Sequence, residues 1–580
     1  MATPPPDLFV LTRVDRVTGE VERVPAHERM DAILSHPDGP RIIRSMDAQT
    51  LFGWVSEAGL SDSLDLIAYT TPEQVRAFID FDCWTGDQFE LTRFLEWLPV
   101  VLDRDDEGFA EWYEATDIEL LALLLQDACA VYLMEEDRDY LDTLEDAVVS
   151  SPCGVYAIIF PDEDAPVEQV RMLLDRVYGM NLVEGHRLLE SVRWELRSGM
   201  EEQALHARTA RMGDLGWVPY HEAWEVFAWR DPRAFADEAR RRALSPSARP
   251  IEASGDLPPV DQHLQALDAA RSRQGETLLH RALAALAAVW EASDVERIAM
   301  SFAAQFRALT NRAHTAERGV PGDVEATAEA VGRVVYRLST GLQLAAHDDV
   351  ALAARVLATT PLRELHQAGH SAVVRLAQSA RSLVRRGQLG VVDGAPLSLL
   401  EAGDRDLMEG LLESFPVRSR VGGEIFETLD HVEQAAARVA SVAFAELLFF
   451  GLLRHTRTEL IDLLYDAARS RTPVEMVSFR SLFATLVLHR AAQRPVELEP
   501  ISLQSFDEAV VRMRRAGDLW SEVRGHVQAV LRDHARVDES ATPVARLWSD
   551  AVSAWLAEEL EGIHTPVPAE IAVSIALIRP

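Results

Sequence analysis

The chain has no lysine; all 57 of its basic residues are arginine. That absence excludes a Walker-A phosphate lysine, Schiff-base chemistry and a kinase-type lysine. Asparagine occurs only as Asn181 and Asn311. Lysine and asparagine codons are both A-rich, so a GC-rich genome accounts for both shortages; salt adaptation would also remove lysine while adding acid. The three cysteines, Cys83, Cys129 and Cys153, are far apart and form no C-x-x-C pair. This points to a reducing cytoplasm and against a disulfide or zinc framework. The amino terminus, MATPPPDLFVLTRV, has no basic stretch followed by a long apolar run, so no secretory signal is expected. The longest apolar run, VASVAFAELLFFGLL at 439–453, contains Glu446. It is shorter than the roughly 20 residues needed to cross a bilayer, and is read as a buried helix; no membrane span is expected.

Acid is what the chain has in excess, with 93 acidic residues and a net charge of −36. Residues 1–150 hold 33 acidic and 10 basic side chains, a net of −23; the other 430 hold 60 and 47, a net of −13. Such a surface repels nucleic acid and anionic lipid. The basic clusters, RRR at 240–242 and RMRRAG at 512–517, stand against that field, so no nucleic-acid partner is expected. The acidic region serves solvation or presents a docking face to a basic partner. The apolar fraction of 48% is that of a globular protein, and this length supplies several domains with ample core.

Residues 1–45 are Pro-rich and read as an extended arm with one short helix near Glu28–Leu34. An acidic helical-pair domain is expected over 46–150. Thr71-Pro72-Glu73-Gln74 is a capping box with proline at the first helical position. Its helix carries Val75, Phe78 and Ile79 on one face. The next helix is expected to start near Asp87. A second box, Thr116-Asp117-Ile118-Glu119, opens a helix whose Leu120, Leu121, Leu123, Leu124 and Leu125 cover nearly every direction, as in a helix buried on all sides. Moving from the first box to the second pairs Val75 with Leu120 and Phe78 with Leu123, a weak repeat with the period of stacked helical pairs. Residues 151–244 read as a small α/β segment: CGVYAIIF at 153–160 is a strand, followed by helices near 166–178, 182–196 and 199–215. The Ser/Pro/Gly-rich stretch 245–259 is the expected linker. Helical domains follow at 260–392 and 393–580. The second ends in a strand candidate, IAVSIALI at 571–578, which could pair with VELEPI at 496–501. The expected fold class is mainly α: stacked helical pairs and helical bundles, with a small α/β insertion and a few short strands.

FIDFDCWTGD at 78–87 gathers Asp80, Asp82 and Asp87 around Cys83 and Trp84. Counted as an EF-hand from Asp80, position 5 is Trp84, position 6 is Thr85 and position 12 is Leu91, so the calcium pattern fails. Cys83 has no nearby cysteine or histidine for zinc. Asp87 suits an N-cap and Gly86 the turn before it. Asp80 and Asp82 sit at a helix C-terminus, where negative charge is disfavoured. Arg76 offsets part of this; an arginine from another segment is needed for the rest. In LLESVRWELRSG, Trp194 lies between Arg193 and Glu195, as an anchor with charged rims. Asp80, Asp82, Trp84, Arg193, Trp194 and Glu195 are therefore the interaction candidates. His366 and His370 are four apart on a helix, without an H-E-x-x-H pattern or a third ligand. Gly369-His370-Ser371-Ala372-Val373 lacks the last glycine and the strand of a nucleophile elbow. No metal, cofactor or catalytic residue is assigned.

The segments SLDLIAYTTPEQVRAFIDFDCWTGDQF, LLESVRWELRSGMEEQALHARTARMGDLGW and YRLSTGLQLAAHDDVALAARVL resemble those of a soluble bacterial family of unknown function and similar length. The D-x-D-C-W stretch is the most distinctive of them. The resemblance implies no activity and no catalytic residues. The N-terminal helical pairs also loosely resemble the cytosolic superhelical domain of bacterial magnesium-channel proteins, which implies a shape rather than a role. The expected role is a cytoplasmic binding or scaffold protein using a helical surface for a protein partner. The alternative is an enzyme in which Asp80, Asp82, Glu195 and His370 converge from distant segments.

Overall fold

Several helix starts in this chain are set by side chains that satisfy the first free N–H groups. The capping box at Thr71 forms: Gln74 N donates to Thr71 Oγ1 at 3.2 Å, and Thr71 N donates to Gln74 Oε1 at 2.8 Å. The same Gln74 amide donates through Nε2 to the carbonyls of Ile43 and Met46, at 2.9 and 2.8 Å. One side chain thus opens the Pro72–Asp82 helix and closes Gly39–Ser45.

The computed structural model describes residues 26–143, 148–161, 165–251, 276–390, 395–469, 476–515 and 517–579. Among the described residues helices dominate, and the strands form three small sheets. The chain divides into two units, Met1–Ala368 and Gly369–Pro580, the division falling inside the Leu362–Arg385 helix. Of the expected arm, residues 1–25 lie outside the described residues, and the rest carries helices at Ala26–Leu34 and Gly39–Ser45. The later part of the expected linker, 252–259, also lies outside them.

The first unit has two apolar cores. One gathers residues between Ile33 and Trp217 and includes the fully buried Phe78, Phe94, Trp97 and Trp112. The Leu120–Leu125 run is buried throughout, as its all-round apolarity predicts. The other core gathers residues between Val226 and Ala368. The expected strand is present as Tyr156–Ile159, in the middle of a three-stranded antiparallel sheet. Its neighbours are Ala130–Leu133 and Val148–Ser150, so the sheet begins before residue 151.

Both asparagines have structural positions. Asn181 caps Leu182–Trp194, accepting from Val183 N at 2.9 Å. Asn311 is fully buried on the Ala292–Ala316 helix. Its Nδ2 donates to Gln49 Oε1 at 3.0 Å and to the Leu215 carbonyl at 2.7 Å, while Gln49 Nε2 donates back to Asn311 Oδ1 at 3.3 Å. Trp217 Nε1 donates to Gln49 Oε1 at 3.3 Å. A polar seam of this kind specifies how helices from distant parts of the chain meet, because any other register leaves buried amides unpaired.

The described residues of the second unit share a core running from Val373 to Ile578. Among the described residues, one helix, Leu429–Leu452, is long and apolar enough to cross a membrane. Its Val439, Val442, Phe444, Leu448 and Phe449 belong to this core, and its buried Glu446 accepts from Arg386 at 3.0 Å. At the C-terminus the strand expected over 571–578 is mostly helix, Ala569–Ile575. Ala572, Val573 and Ile575 are buried, a helical rather than an alternating pattern. Only Ile578–Arg579 is extended, pairing in parallel with Ile501–Ser502.

The asparagine seam gives a first prediction. Asn311→Ala leaves the buried Gln49 Nε2 and the half-buried Leu215 carbonyl without their partner, and should lower unfolding free energy by about 3 kcal/mol. Asn181→Ala removes one exposed cap and should cost about 1 kcal/mol. Urea denaturation of both variants checks the difference, and equal losses would contradict the buried role.

Candidate functional site

In FIDFDCWTGD the Pro72–Asp82 helix ends with Cys83 as its C-cap. Strands Trp84–Thr85 and Gln88–Phe89 then pair across the two-residue turn Gly86–Asp87. Gly86 takes φ +62°, the left-handed region that such a turn requires and glycine permits. Trp84 and Phe89 face each other, ring centroids 5.2 Å apart, a cross-strand aromatic pair. The next helix therefore starts at Leu91 with Glu90 as its N-cap, not near Asp87.

Asp80 is buried at that helix end, and the missing countercharge is Arg211 on the Arg197–Asp214 helix. Arg211 Nε donates to Asp80 Oδ2 at 2.7 Å and Nη2 to Oδ1 at 2.8 Å. The same guanidinium donates to Asp117 through Nη1 at 3.1 Å and Nη2 at 2.7 Å. The second expected capping box does not form for this reason. The Asp117 carboxylate is turned to Arg211, and Thr116 Oγ1 donates back to the Trp112 carbonyl. Arg76, expected to offset Asp80, donates instead to the Ala115 carbonyl at 2.9 Å. Arg208 donates to the Asp80 carbonyl at 2.9 Å, and its guanidinium lies 5.1 Å from the Trp84 ring centre. Asp82 accepts from Trp97 Nε1 at 2.9 Å. Asp80 and Asp82 thus have partners in the packed interior, whereas Trp84 Nε1 is buried without one and Thr85 and Asp87 are exposed at the hairpin; burial pushes the Cys83 thiol well above its usual range.

The Arg193-Trp194-Glu195 group is at the surface. Trp194 is 72% exposed, and its Nε1 donates to Glu190 Oε2 at 2.8 Å. The Arg193 guanidinium lies 5.0 Å from the indole and 3.2 Å from Glu190 Oε1. The Glu195 side chain is exposed; its carbonyl accepts from Gln126 Nε2 at 2.9 Å. Tyr156 donates to Glu190 Oε1 at 2.7 Å. Burial opposes ionisation of Glu190, but the hydrogen bonds from Tyr156 and Trp194 and the charge of Arg193 outweigh it and hold its pKa low.

Sequence reasoning did not single out Cys153, in the turn between Val148–Ser150 and Tyr156–Ile159. Its sulfur is 3.3 Å from Ser151 Oγ and 3.4 Å from the Tyr178 hydroxyl. Burial disfavours the thiolate, but hydrogen bonds from Ser151, Tyr178 and the Val155 backbone outweigh it, leaving the thiol more acidic than usual. Cys129 is the reverse case, pushed up to about 12 by burial.

His366 is fully buried, with Nδ1 3.0 Å from the Val226 carbonyl, and burial lowers its pKa to about 4. His370, on the same helix, is buried. Among the described residues no group of three His, Cys, Asp or Glu side chains is placed to hold a metal ion.

A groove of about 940 Å³ lies in the first unit. Asp80, Asp82 and Glu195 do not line it. Five carboxylates do, Asp103, Asp105, Glu107, Glu111 and Glu168, with Arg44 and Arg104 as the only basic side chains of the lining, a net of −3. Arg104 turns inward, its Nη2 donating to the Ile67 carbonyl at 3.0 Å and to Thr70 Oγ1 at 2.9 Å. Leu64 and Met172, both exposed, supply apolar wall. Asp105, Glu107 and Glu168 lie at helix N-termini, where negative charge is favoured. Asp103 lies at the C-cap of Leu91–Leu102 and Glu111 in the later half of Asp106–Ala115. The helix dipoles do not account for these two.

Residues 10–578 match DUF6178, described as a family of unknown function. The chain belongs to this family. No curated protein and no solved structure was found to match the chain. The DUF6178 match includes both ends of the Asp80–Arg211 clamp, the Cys153 turn and every residue of the groove.

In this DUF6178 member Cys153 should be the first thiol to react. At pH 7 iodoacetamide should label it at least tenfold faster than Cys83 or Cys129. Because its pKa is lowered, the labelling rate should level off below the pH at which an ordinary thiol does. Tyr178→Phe removes a donor to the thiolate and should move that pH upward. Peptide mapping by mass spectrometry checks both statements; uniform labelling of the three cysteines would contradict them.

Proposed function

We propose that this protein is a cytoplasmic binding protein whose acidic groove takes an extended basic segment of a protein partner. The observation that carries this reading is the placement of Asp103 and Glu111. Both are exposed beside the groove, and neither is stabilised by its own helix dipole. A partner guanidinium or ammonium group supplies countercharge beyond that of Arg104, whose charge reaches Glu111. The exposed Leu64 and Met172 suit apolar side chains set between the basic ones. The charge of residues 1–150, net −23, supports attraction of such a segment over a Debye length, about 8 Å at physiological salt. Three free cysteines support a reducing compartment. The enzyme alternative through Asp80, Asp82, Glu195 and His370 has less support, since Asp80 is committed to Arg211 and Asp82 to Trp97.

The test uses a fluorescein-labelled synthetic peptide of alternating arginine and leucine, read by anisotropy. The full chain should bind it saturably, and binding should weaken as salt rises. Asp103→Asn with Glu111→Gln should weaken it about tenfold, a loss near 1.4 kcal/mol shared by two rim charges. Binding that is unchanged in this double variant would place the interaction elsewhere and overturn the reading.

A further inference from the structure

A second pocket in the first unit, of about 450 Å³, has the opposite character. It lies where the Pro232–Ala243 helix ends and the chain turns through Ser245 and Ser247. Arg241, Arg242 and Arg249 line it, together with the two serines; Glu238 is the one carboxylate of the lining. Glu238 is already used: Oε1 accepts from Arg242 at 2.8 Å and Oε2 from Arg230 at 3.1 Å. Glu364 accepts from the same two arginines, at 3.4 and 3.0 Å. These two carboxylates and two guanidiniums balance. Arg241 and Arg249 remain, both exposed, and no carboxylate among the described residues pairs with either.

Two uncompensated arginines at one pocket are unexpected on a chain of net charge −36, where carboxylates are abundant. The serines add neutral donors. Ser245 Oγ and Ser247 Oγ are 3.0 Å apart, and Ser247 N donates to Ser245 Oγ at 3.3 Å. Whichever hydroxyl donates to the other, one O–H remains to give. The turn is tied at both ends, by Ser245 N to the Arg242 carbonyl at 3.3 Å and by Ile251 N to the Ala358 carbonyl at 3.0 Å. The backbone of the turn and its serine pair are therefore held in place before any ligand arrives, while the two exposed guanidiniums are free to close on it.

We propose that this pocket binds a phosphate monoester of a small molecule. A phosphoryl dianion matches the two free positive charges. Its three terminal oxygens can accept from two separate guanidinium forks and a hydroxyl, whereas a carboxylate offers only two oxygens and one charge. The volume leaves room for a small organic group beyond the phosphoryl. This site is independent of the acidic groove and of the partner proposed for it.

Isothermal titration of the full chain, at constant ionic strength held with sodium chloride, tests the assignment with two probes. Ribose 5-phosphate should bind saturably, and inorganic phosphate should compete at the same site with at least threefold weaker affinity. Arg241→Gln with Arg249→Gln should weaken both by tenfold or more, while circular dichroism stays unchanged because both side chains are exposed. Ser247→Ala should weaken both by a smaller factor. Absence of saturable binding by ribose 5-phosphate, or binding that survives the double arginine substitution, would overturn the proposal. Phosphate binding as tightly as the ester would overturn the choice of a small-molecule ester.

Discussion

A single guanidinium, Arg211, joins three parts of the acidic region. It holds the end of the Pro72–Asp82 helix through Asp80, the start of Ile118–Ala128 through Asp117, and both to its own helix, Arg197–Asp214. Around it, Arg208 takes the Asp80 carbonyl and covers Trp84, and Trp97 takes Asp82. A buried carboxylate at a helix C-terminus is unfavourable in isolation. Here it becomes the fixed point that aligns helices more than a hundred residues apart in sequence. The two carboxylates need a forked donor with several N–H groups in one plane, which arginine has. A chain whose basic residues are all arginine is suited to that kind of internal bridge.

This explains why the FIDFDCWTGD stretch is mostly interior structure and not a site. Asp80 and Asp82 are spent on Arg211 and Trp97, Asp87 is exposed in the turn, and the tryptophan is buried against Phe89. The exposed chemistry lies elsewhere in the same unit: the acidic groove beside Asp103 and Glu111, the Cys153 turn, and the arginine–serine pocket at Arg241 and Arg249. The groove and the pocket carry opposite charge, and the proposals for them call for opposite ligands. Cys153 differs from the other two cysteines in having hydroxyl partners instead of apolar walls.

What could be read from sequence was local. The Thr71 capping box, the buried leucine helix at 118–128 and the strand at 156–159 follow from spacing and side-chain type within a dozen residues. The need for a countercharge to Asp80 also follows locally, from its place at a helix end. Which of 57 arginines supplies it does not, because that depends on tertiary contact. The failed second box has the same cause: a tertiary partner outbids a local cap at Asp117. The Gly86–Asp87 turn was hidden because glycine followed by aspartate suits a hairpin and a helix start equally well. At 571–578 a short apolar run fits both periods, and burial on one helical face decided it. The groove and the pocket draw residues from several segments, so no linear motif marks them.

The measurement that tests the central claim most directly is the stability of Arg211→Lys. It keeps the charge and nearly the length, and replaces the fork with a point donor. If the geometry of the bridge is what holds these helices, the substitution should lose at least about 2 kcal/mol in urea denaturation. A stability equal to that of the natural chain would show that any nearby positive charge suffices, and would contradict the account of Arg211 as the fixed point of the fold.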